Sequence, residues 1–313
     1  MDARHKAGHD EGSGMKRNTP RISFIGFGEA GQAIASGLRE SGIERIAAWD
    51  ILFPQPEGAR LKAAGEKSGV RLASSAADAV AQTDMIISAV TAASSLEAAR
   101  SIAPHLKGNP YYLDINSVSP GRKQETAELL GENARYIDVA VVAAIHPKRH
   151  RTPLLIAGPH AEVAAPLLRE MEIELSVVGD AVGGAAAIKM IRSVMIKGIE
   201  ALTLECFLAA ARAGVLDEVT ASLKNNYPGL DWAQLSEYNL ERMASHGERR
   251  AAEMEESAAT LRELGLDPLM VDATVKRQRE MGAVGKQDNV LKSLDKGRAA
   301  MLAAISAAKN RRQ

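Results

Sequence analysis

Three glycines near the start of the chain have the spacing of a phosphate-binding turn. They stand in the segment GFGEAG, directly after the β-rich run ISFI and directly before the helical run QAIASGL. Gly26 would permit a tight turn, Gly28 would let the backbone approach a pyrophosphate, and Gly31 would let helix and strand pack closely. Free amides at the start of the helix then face the phosphate charge. The pattern predicts a dinucleotide site formed by Gly26, Phe27, Gly28, Glu29, Ala30 and Gly31.

An acidic residue at the end of the next predicted strand indicates which dinucleotide binds. Asp50 closes the run RIAAWD, and a carboxylate at that point accepts hydrogen bonds from the adenosine ribose and repels a 2′-phosphate. No arginine directly follows Asp50, although Arg60 could fold back toward it. We therefore expect NAD rather than NADP as the cofactor. Val90 and Thr91, at the end of the run MIISAV, are assigned to the same site.

Lys189 lies near the start of a long helical segment, and a lysine is a residue type that can transfer a proton. It lies in GGAAAIKMIRS, where glycines open a long helical segment and the lysine falls on its first turns. Hydride transfer to a carbonyl needs a proton donor near the forming alkoxide, and the reverse reaction needs a base. Desolvation in a closed apolar cleft lowers the pKa of a lysine toward neutrality, which suits either role. Ser193, at i+4, would orient the substrate hydroxyl; the alternative for Lys189 is an exposed helical lysine without a chemical role.

A dense group of cations occupies the segment IHPKRHRTP, residues 145–153. It follows a strand whose carboxyl end should rim the cleft. Either His146, Arg149 and Arg151 supply anion contacts to a substrate, or the segment is a solvated basic loop. No metal site is expected, because Pro147 disfavours the helix that a pair of histidines four residues apart would need.

A second polar group lies on one face of a C-terminal helix. His246, Arg249, Arg250 and Glu253 fall at i, i+3, i+4 and i+7, so they share a single face. Two interpretations stay open: His246 and Arg250 close over the active site and bind substrate, or the face is a salt-bridged surface.

The elements that would position these residues alternate between strands and helices. Strand–helix alternation predicts an α/β fold with a Rossmann-type, doubly wound and mostly parallel sheet. The predicted strands are 22–28, 45–50, 85–90, 111–116, 135–142, 154–158 and 174–179. Beyond them, residues 183–213 read as one long interdomain helix, and the rest is helical with breaks at 225–231 and 264–268.

These elements predict a flexible tail (1–19), an NAD(P)-binding Rossmann domain (20–180) and an all-α C-terminal domain (181–313). A helix of 31 residues would be about 45 Å long, too long to bury its apolar surface against one domain. We therefore predict a homodimer whose interface involves residues 190–213 and the C-terminal helices. Cys206, the single cysteine, lies in an apolar helical stretch and is expected to be a buried, inert thiol.

Composition excludes several classes of partner. Lys+Arg and Asp+Glu both number 39, so the formal charge is +0, and no net field attracts nucleic acid or a membrane surface. No apolar run approaches the ~20 residues that span a bilayer, and the polar start lacks the core of a signal peptide. A cytoplasmic protein with a small-molecule substrate is expected.

Three segments carry a family resemblance: DINSVSP (114–120), DVAVVAA (138–144) and GGAAAIKMIRS (183–193). They resemble the β-hydroxyacid dehydrogenases, which include 3-hydroxyisobutyrate and 6-phosphogluconate dehydrogenases. The resemblance covers about 21–210 and implies that Lys189 is the acid/base and that Asn116 and Ser117 bind substrate. The remainder looks like the C-terminal domain of uncharacterised phosphogluconate-dehydrogenase-like bacterial proteins.

The chain departs from the family pattern on the substrate side. Ser193 stands where the family has an asparagine, and Ala185 replaces the second glycine of the catalytic turn. Where the family holds the substrate carboxylate with Ser-Gly-Gly, this chain has residues 142–144, Val-Ala-Ala. Cofactor binding is untouched by these changes.

Together these features predict an NAD(P)-dependent oxidoreductase. It would transfer hydride between nicotinamide and a secondary alcohol or carbonyl of a small substrate, for which we expect an anionic group. Within the same architecture the alternative is an imine (C=N) reductase, which the lysine at 189 disfavours. From another class, the alternative is a non-catalytic dinucleotide-sensing protein, which would have no need of an acid/base.

Overall fold

A computed structural model describes residues 19–310, in which eight strands form one sheet. The strand order is β3-β2-β1-β4-β5-β6-β7-β8. The β6–β7 pair is antiparallel, and every other neighbouring pair in the sheet is parallel. The predicted tail lies, except for Thr19, outside the described residues. The strands are β1 (Ile22–Ile25), β2 (Ile46–Trp49), β3 (Arg71–Leu72), β4 (Met85–Ser88), β5 (Tyr111–Asp114), β6 (Arg135–Val141), β7 (Leu154–Ala157) and β8 (Leu175–Val177).

Helices cover both faces of this sheet, because its central strands are apolar on both sides. Every residue of β1, β4 and β5 is buried, which parallel sheets require. The connecting helices are α1 (Glu29–Glu40), α2 (Ala59–Lys67), α3 (Ala76–Val80), α4 (Ser95–Ile102), α5 (Pro120–Leu130) and α6 (Ala161–Glu170). Phe24 packs into the core beneath α1 and α6, whereas Ile25 packs into a second core beneath α3, α4 and α5. The predicted doubly wound fold is confirmed.

The C-terminal part is helical throughout, as predicted. Its elements are α7 (Gly184–Ala213), α8 (Leu216–Asn226), α9 (Trp232–Glu263), α10 (Leu269–Gly285), α11 (Asp288–Leu291) and α12 (Arg298–Asn310). Gly214, at φ +75°, ends the long helix α7. The predicted break 264–268 lies between α9 and α10, whereas 225–231 begins within the last two residues of α8 and ends before α9. A Cβ on Gly247 would come within 2.4 Å of the Gly282 nitrogen, so the glycines let α9 and α10 touch through their backbones.

The surface of α7 differs from expectation at one residue. Cys206 is exposed, so the prediction of a buried thiol is wrong; the helix turns this side of its apolar sequence outward. Within residues 19–310, no helix is long and apolar enough to cross a membrane. The last strand ends at Val177 and α7 begins at Gly184; a domain division at 180/181 remains a proposal.

Candidate functional site

The glycine turn after β1 has the geometry of a phosphate cradle. Gly26 has φ +90°, and a Cβ there would lie 2.4 Å from the Ala89 carbonyl oxygen. A Cβ on Gly31 would lie 2.7 Å from the Gly26 carbonyl oxygen, so α1 packs directly on the turn. Gly28 has nothing within 4 Å of such a Cβ, and no side chain caps the α1 N-terminus that follows it. This open space before free amides fits the pyrophosphate of a dinucleotide.

Asp50 is held beside this turn. Its Oδ2 accepts the Phe27 backbone N–H at 2.7 Å, and its Oδ1 accepts the Leu52 N–H at 3.0 Å. The side chain is half-buried, and each carboxylate oxygen can accept a further hydrogen bond. The carboxylate therefore stands at the carboxyl end of β2, where an adenosine ribose would meet it.

Asn116 is not available to a substrate. It is 4% exposed, its Oδ1 accepts the Val90 N–H at 2.7 Å, and its Nδ2 donates to Ser88 Oγ at 2.9 Å. The side chain thus ties the loop after β5 to the end of β4, and the expectation of an Asn116 substrate contact is corrected. Its role is to position Val90 and, next to it, Thr91 at the rim of the cofactor site.

Lys189 and Ser117 are in contact beyond the carboxyl end of β5. We call the space between this end of the sheet, the first turns of α7 and the facing side of α9 the cleft. Lys189 Nζ donates to Ser117 Oγ at 2.5 Å, and the lysine side chain is half-buried. Burial lowers the pKa of Lys189 to about 8; the charges of Lys123, Lys197 and Arg249 act in the same direction, and Glu253 opposes them. An exposed lysine has a pKa of about 10.4, so the lowered pKa brings the Lys189 ammonium closer to the range in which a general acid or base works near neutral pH.

Ser193 turns away from the cleft. The residue is 7% exposed, and its Oγ donates to the Lys189 carbonyl at 2.9 Å and accepts from Lys197 Nζ at 3.2 Å. Lys197 Nζ in turn lies 2.9 Å from Glu253 Oε2. Ser193 therefore links the turns of α7 that carry the two lysines, and the expectation that it orients a substrate hydroxyl is corrected.

A buried ionic cluster holds the start of α7 against the sheet. Asp138 Oδ2 accepts the backbone N–H groups of Gly183, Ala185 and Ala186 at 3.1, 2.9 and 3.1 Å. Lys123 Nζ lies 3.5 Å from Asp138 Oδ1 and 3.2 Å from Asp114 Oδ1, and these three side chains are at most 1% exposed. The cluster aims the first turns of α7, and with them Lys189, at the carboxyl end of β5. Sequence reasoning missed Lys123 and assigned Asp138 only to a family segment.

The basic segment after β6 does not reach the cleft. Both terminal nitrogens of Arg149 bind Glu40 on α1 at 2.5 Å, and Arg151 pairs with Glu172. His150 is buried against α1, with its Nε2 2.9 Å from Ser41 Oγ. This packing lies on the α1 face of the sheet, opposite α5. The expectation that Arg149 and Arg151 bind substrate is corrected: they are salt-bridged to neighbouring acids. His146 is exposed in the same loop.

On α9 the two predicted site residues occupy different environments. Arg250 is buried and pairs with Glu200 of α7, with Nε 2.9 Å from Glu200 Oε2. Gln278 Nε2 also donates to that oxygen, at 2.8 Å. The structure thus places Arg250 between α7, α9 and α10, and its assignment to substrate is corrected. His246 is half-buried; burial, followed by the charges of Arg242 and Arg249, lowers its pKa.

Two acids of α9 that the sequence analysis did not name, Glu256 and Glu263, contact Ser119 at the start of α5. Glu256 Oε2 accepts the Ser119 N–H at 2.8 Å, and Glu263 accepts Ser119 Oγ at 2.7 Å. Burial would raise the pKa of Glu253, but Lys197 and nearby cations hold it below its usual value. The spacing of acids along one helix face was the available signal. In residues 19–310 no group of three metal-binding side chains comes together.

Two family models and several solved structures are similar to this chain. A family model described as the NAD binding domain of 6-phosphogluconate dehydrogenase matches residues 21–179, and a domain of unknown function matches residues 210–281. A conserved hypothetical protein from Sinorhizobium meliloti 1021 is 36% identical, with 92% of this chain and 96% of that chain covered and a TM-score of 0.75.

Two further solved structures share the fold. One is a conserved protein of unknown function described as structurally similar to 3-hydroxyacid dehydrogenases; it is 30% identical over 84% of this chain and 97% of its own, with a TM-score of 0.69. The other is the Mycobacterium tuberculosis 3-hydroxyisobutyrate dehydrogenase, 15% identical over 92% of this chain and 99% of its own, with a TM-score of 0.68. Because the first model spans half of the chain, the protein belongs to the family of the NAD binding domain of 6-phosphogluconate dehydrogenase.

Proposed function

We propose that the protein is an NAD-dependent oxidoreductase acting on a secondary alcohol or carbonyl of a small, anionic substrate. The observation that carries the proposal is Lys189: an ammonium with a pKa lowered to about 8, hydrogen-bonded to Ser117 at the end of β5. A bound nicotinamide would supply or accept the hydride. The glycine turn would bind its pyrophosphate, and Asp50 would orient the adenosine ribose.

The residues of this chain then have defined tasks. In reduction, the substrate oxygen takes a proton from Lys189 Nζ as negative charge develops on it. In oxidation, neutral Lys189 accepts the hydroxyl proton. Ser117 holds Nζ in one direction through its 2.5 Å hydrogen bond. The contacts of α9 with Ser119 cover the cleft on the side of α5.

The test is NADH oxidation against a panel of keto acids, semialdehyde acids, neutral ketones and cyclic imines. Turnover of acids supports the proposal. Turnover of imines alone would replace it with imine reduction. Tight NADH binding without turnover of any class would replace it with dinucleotide sensing.

We expect the protein to prefer NADH to NADPH by at least about tenfold in dissociation constant. The Asp50 carboxylate is fixed by two backbone N–H groups, so it cannot turn away from a 2′-phosphate. Asp50→Ser should remove most of this preference, whereas Glu57→Ser, at an exposed site, should leave it unchanged. Fluorescence titration measures both constants; tighter binding of NADPH by the wild type contradicts the assignment.

We also propose a homodimer formed through α7. Its exposed side carries Ile188, Ile191, Met195 and Leu202 at 43, 48, 65 and 58% exposure, which is an unusually apolar stripe for a solvated helix. Met195→Asp is expected to convert a dimer into a monomer at micromolar concentration, as measured by light scattering. Val163→Asp, at an isolated apolar residue of α6 that is 70% exposed, is the matched control. A monomeric wild type contradicts the proposal.

A further inference from the structure

One face of α9 borders the cleft that contains Lys189. Arg249, Glu253 and Glu256 are spaced i, i+4 and i+7, so they share that face. Glu253 contacts Lys197 on α7, and Glu256 accepts the Ser119 N–H at the start of α5. Two members of the face are thus fixed to opposite walls of the cleft.

Arg249 is the member of this face that is left unpaired. It is exposed and forms no hydrogen bond or ion pair with any residue in the described part of the chain. Four residues separate it from Glu253, a distance of about 6 Å along the helix axis. Its positive charge acts on both Lys189 and Glu253, lowering the pKa of each. Because Glu253 and Glu256 of the same helix face contact the cleft walls, Arg249 also lies on the cleft side of α9.

The Ser-Gly-Gly segment with which the similar dehydrogenases hold a substrate carboxylate is replaced here by Val-Ala-Ala at residues 142–144. Val142 packs with Ala157 and Ala185 in a small apolar cluster and offers no hydroxyl. The arginines of the basic segment are bound to acids on the other face of the sheet. Neither group therefore offers a free donor to a carboxylate at the cleft, whereas Arg249 on α9 has no partner among the described residues.

We propose that Arg249 binds the substrate carboxylate while Lys189 handles the proton at the reacting oxygen. A planar guanidinium can hold a carboxylate through two parallel hydrogen bonds. Glu253 does not compete for it, because Lys197 already neutralises that carboxylate. The ligand class is a short hydroxy or oxo acid whose carboxylate lies a few bonds from the reacting carbon. This inference rests on the proposed function.

The test is equilibrium binding to the protein saturated with NADH, in which an alcohol forms a complex that cannot react. The probes are 3-hydroxybutanoate and the neutral isostere 3-hydroxybutanamide, titrated by calorimetry. Wild-type protein should bind the carboxylate at least about tenfold more tightly, since charge-assisted hydrogen bonds contribute that much or more. Arg249→Met should abolish the preference, and Arg249→Lys should restore part of it.

Two arginines serve as comparisons. Arg169→Met, at an exposed arginine of α6, should leave the preference for the carboxylate over the amide unchanged. The inference is overturned if Arg249→Met keeps the preference, if Arg192→Met, at an exposed arginine of α7, abolishes it instead, or if the wild type shows none. A protein that shows the predicted preference without hydride transfer to any carbonyl fails only the proposed function. One that turns over carbonyls with an Arg249-independent preference fails only this inference.

Discussion

Lys189→Met is expected to lower the turnover number by about 10²–10⁴-fold, the usual contribution of a positioned acid or base. Methionine is unbranched, is only one atom shorter than lysine and fills most of the half-buried space, so the NADH dissociation constant should change less than twofold. Single-turnover NADH oxidation with the best substrate of the panel measures the effect. Because the loss lies in the proton-transfer step, it should persist at saturating substrate.

The matched control for that variant is Lys276→Met, at an exposed lysine of α10, which should retain wild-type kinetics. Lys189→Arg provides a second check. Arginine keeps the positive charge but cannot act as an acid or base, because a guanidinium does not release its proton in proteins. Full activity in Lys189→Met would remove the proposed acid/base and leave the dinucleotide site without a catalytic partner.

The pH dependence of the wild type follows from the same group. The pKa of Lys189 is lowered to about 8, and carbonyl reduction needs its protonated form. The rate of reduction should therefore be level below pH 8 and fall about tenfold per pH unit well above it. Alcohol oxidation needs the neutral form and should show the opposite profile. A reduction rate that rises through pH 8 would contradict the assignment of Lys189 as the acid.

The cofactor half of the site could be predicted from sequence because its information is local. Gly26, Gly28 and Gly31 act through their own backbone and the turn they share, so spacing after a strand is sufficient. Lys189 was found because residues 183–193, where glycines open α7, resemble the catalytic segment of the β-hydroxyacid dehydrogenases. Even there, the lowered pKa depends on burial and on charges that α5 and α9 bring from far along the chain.

The substrate half could not be predicted, because its residues take their roles from distant partners. Asn116 has a suitable side chain for a substrate, but Ser88 and Val90 occupy it. Arg149 lies after the right strand, yet the loop folds back onto α1, where Glu40 neutralises it. Arg249 and Arg250 are neighbours in sequence; only their position on the helix decides which one is exposed.

In the fold, too, features with a local sequence signal were predicted and features that depend on distant residues were not. The predicted strands are present because each is an apolar run bounded by turn residues, and α7 has the predicted extent. β3 was missed because a strand of two residues carries no periodic pattern. The joint between sheet and α7 was also missed, since a lysine and an aspartate in separate elements give no sign of pairing.

The buried cluster of Asp138, Lys123 and Asp114, which joins the sheet to α7, is expected to make a large contribution to the free energy of unfolding. Asp138→Ala removes one of the two buried carboxylates beside Lys123 and leaves Asp114 as its remaining ion-pair partner. Removing one partner of a buried ion pair costs about 3–5 kcal/mol. The same substitution strips the acceptor from three backbone N–H groups at the start of α7. Urea denaturation should therefore show a large fall in the free energy of unfolding, without a change in the number of helices that form.

Two variants separate these contributions. Asp138→Asn keeps an acceptor for the N–H groups but loses the charge facing Lys123, so its destabilisation should be intermediate. Asp84→Ala breaks the ion pair with Arg21, whose side chains are 41 and 44% exposed, and should cost far less because water replaces the lost partner. A loss in Asp138→Ala no larger than in Asp84→Ala would mean that the cluster does not hold α7. Lys189 would then owe its position to its hydrogen bond with Ser117 and to the acids of α9 that contact Lys197 and Ser119.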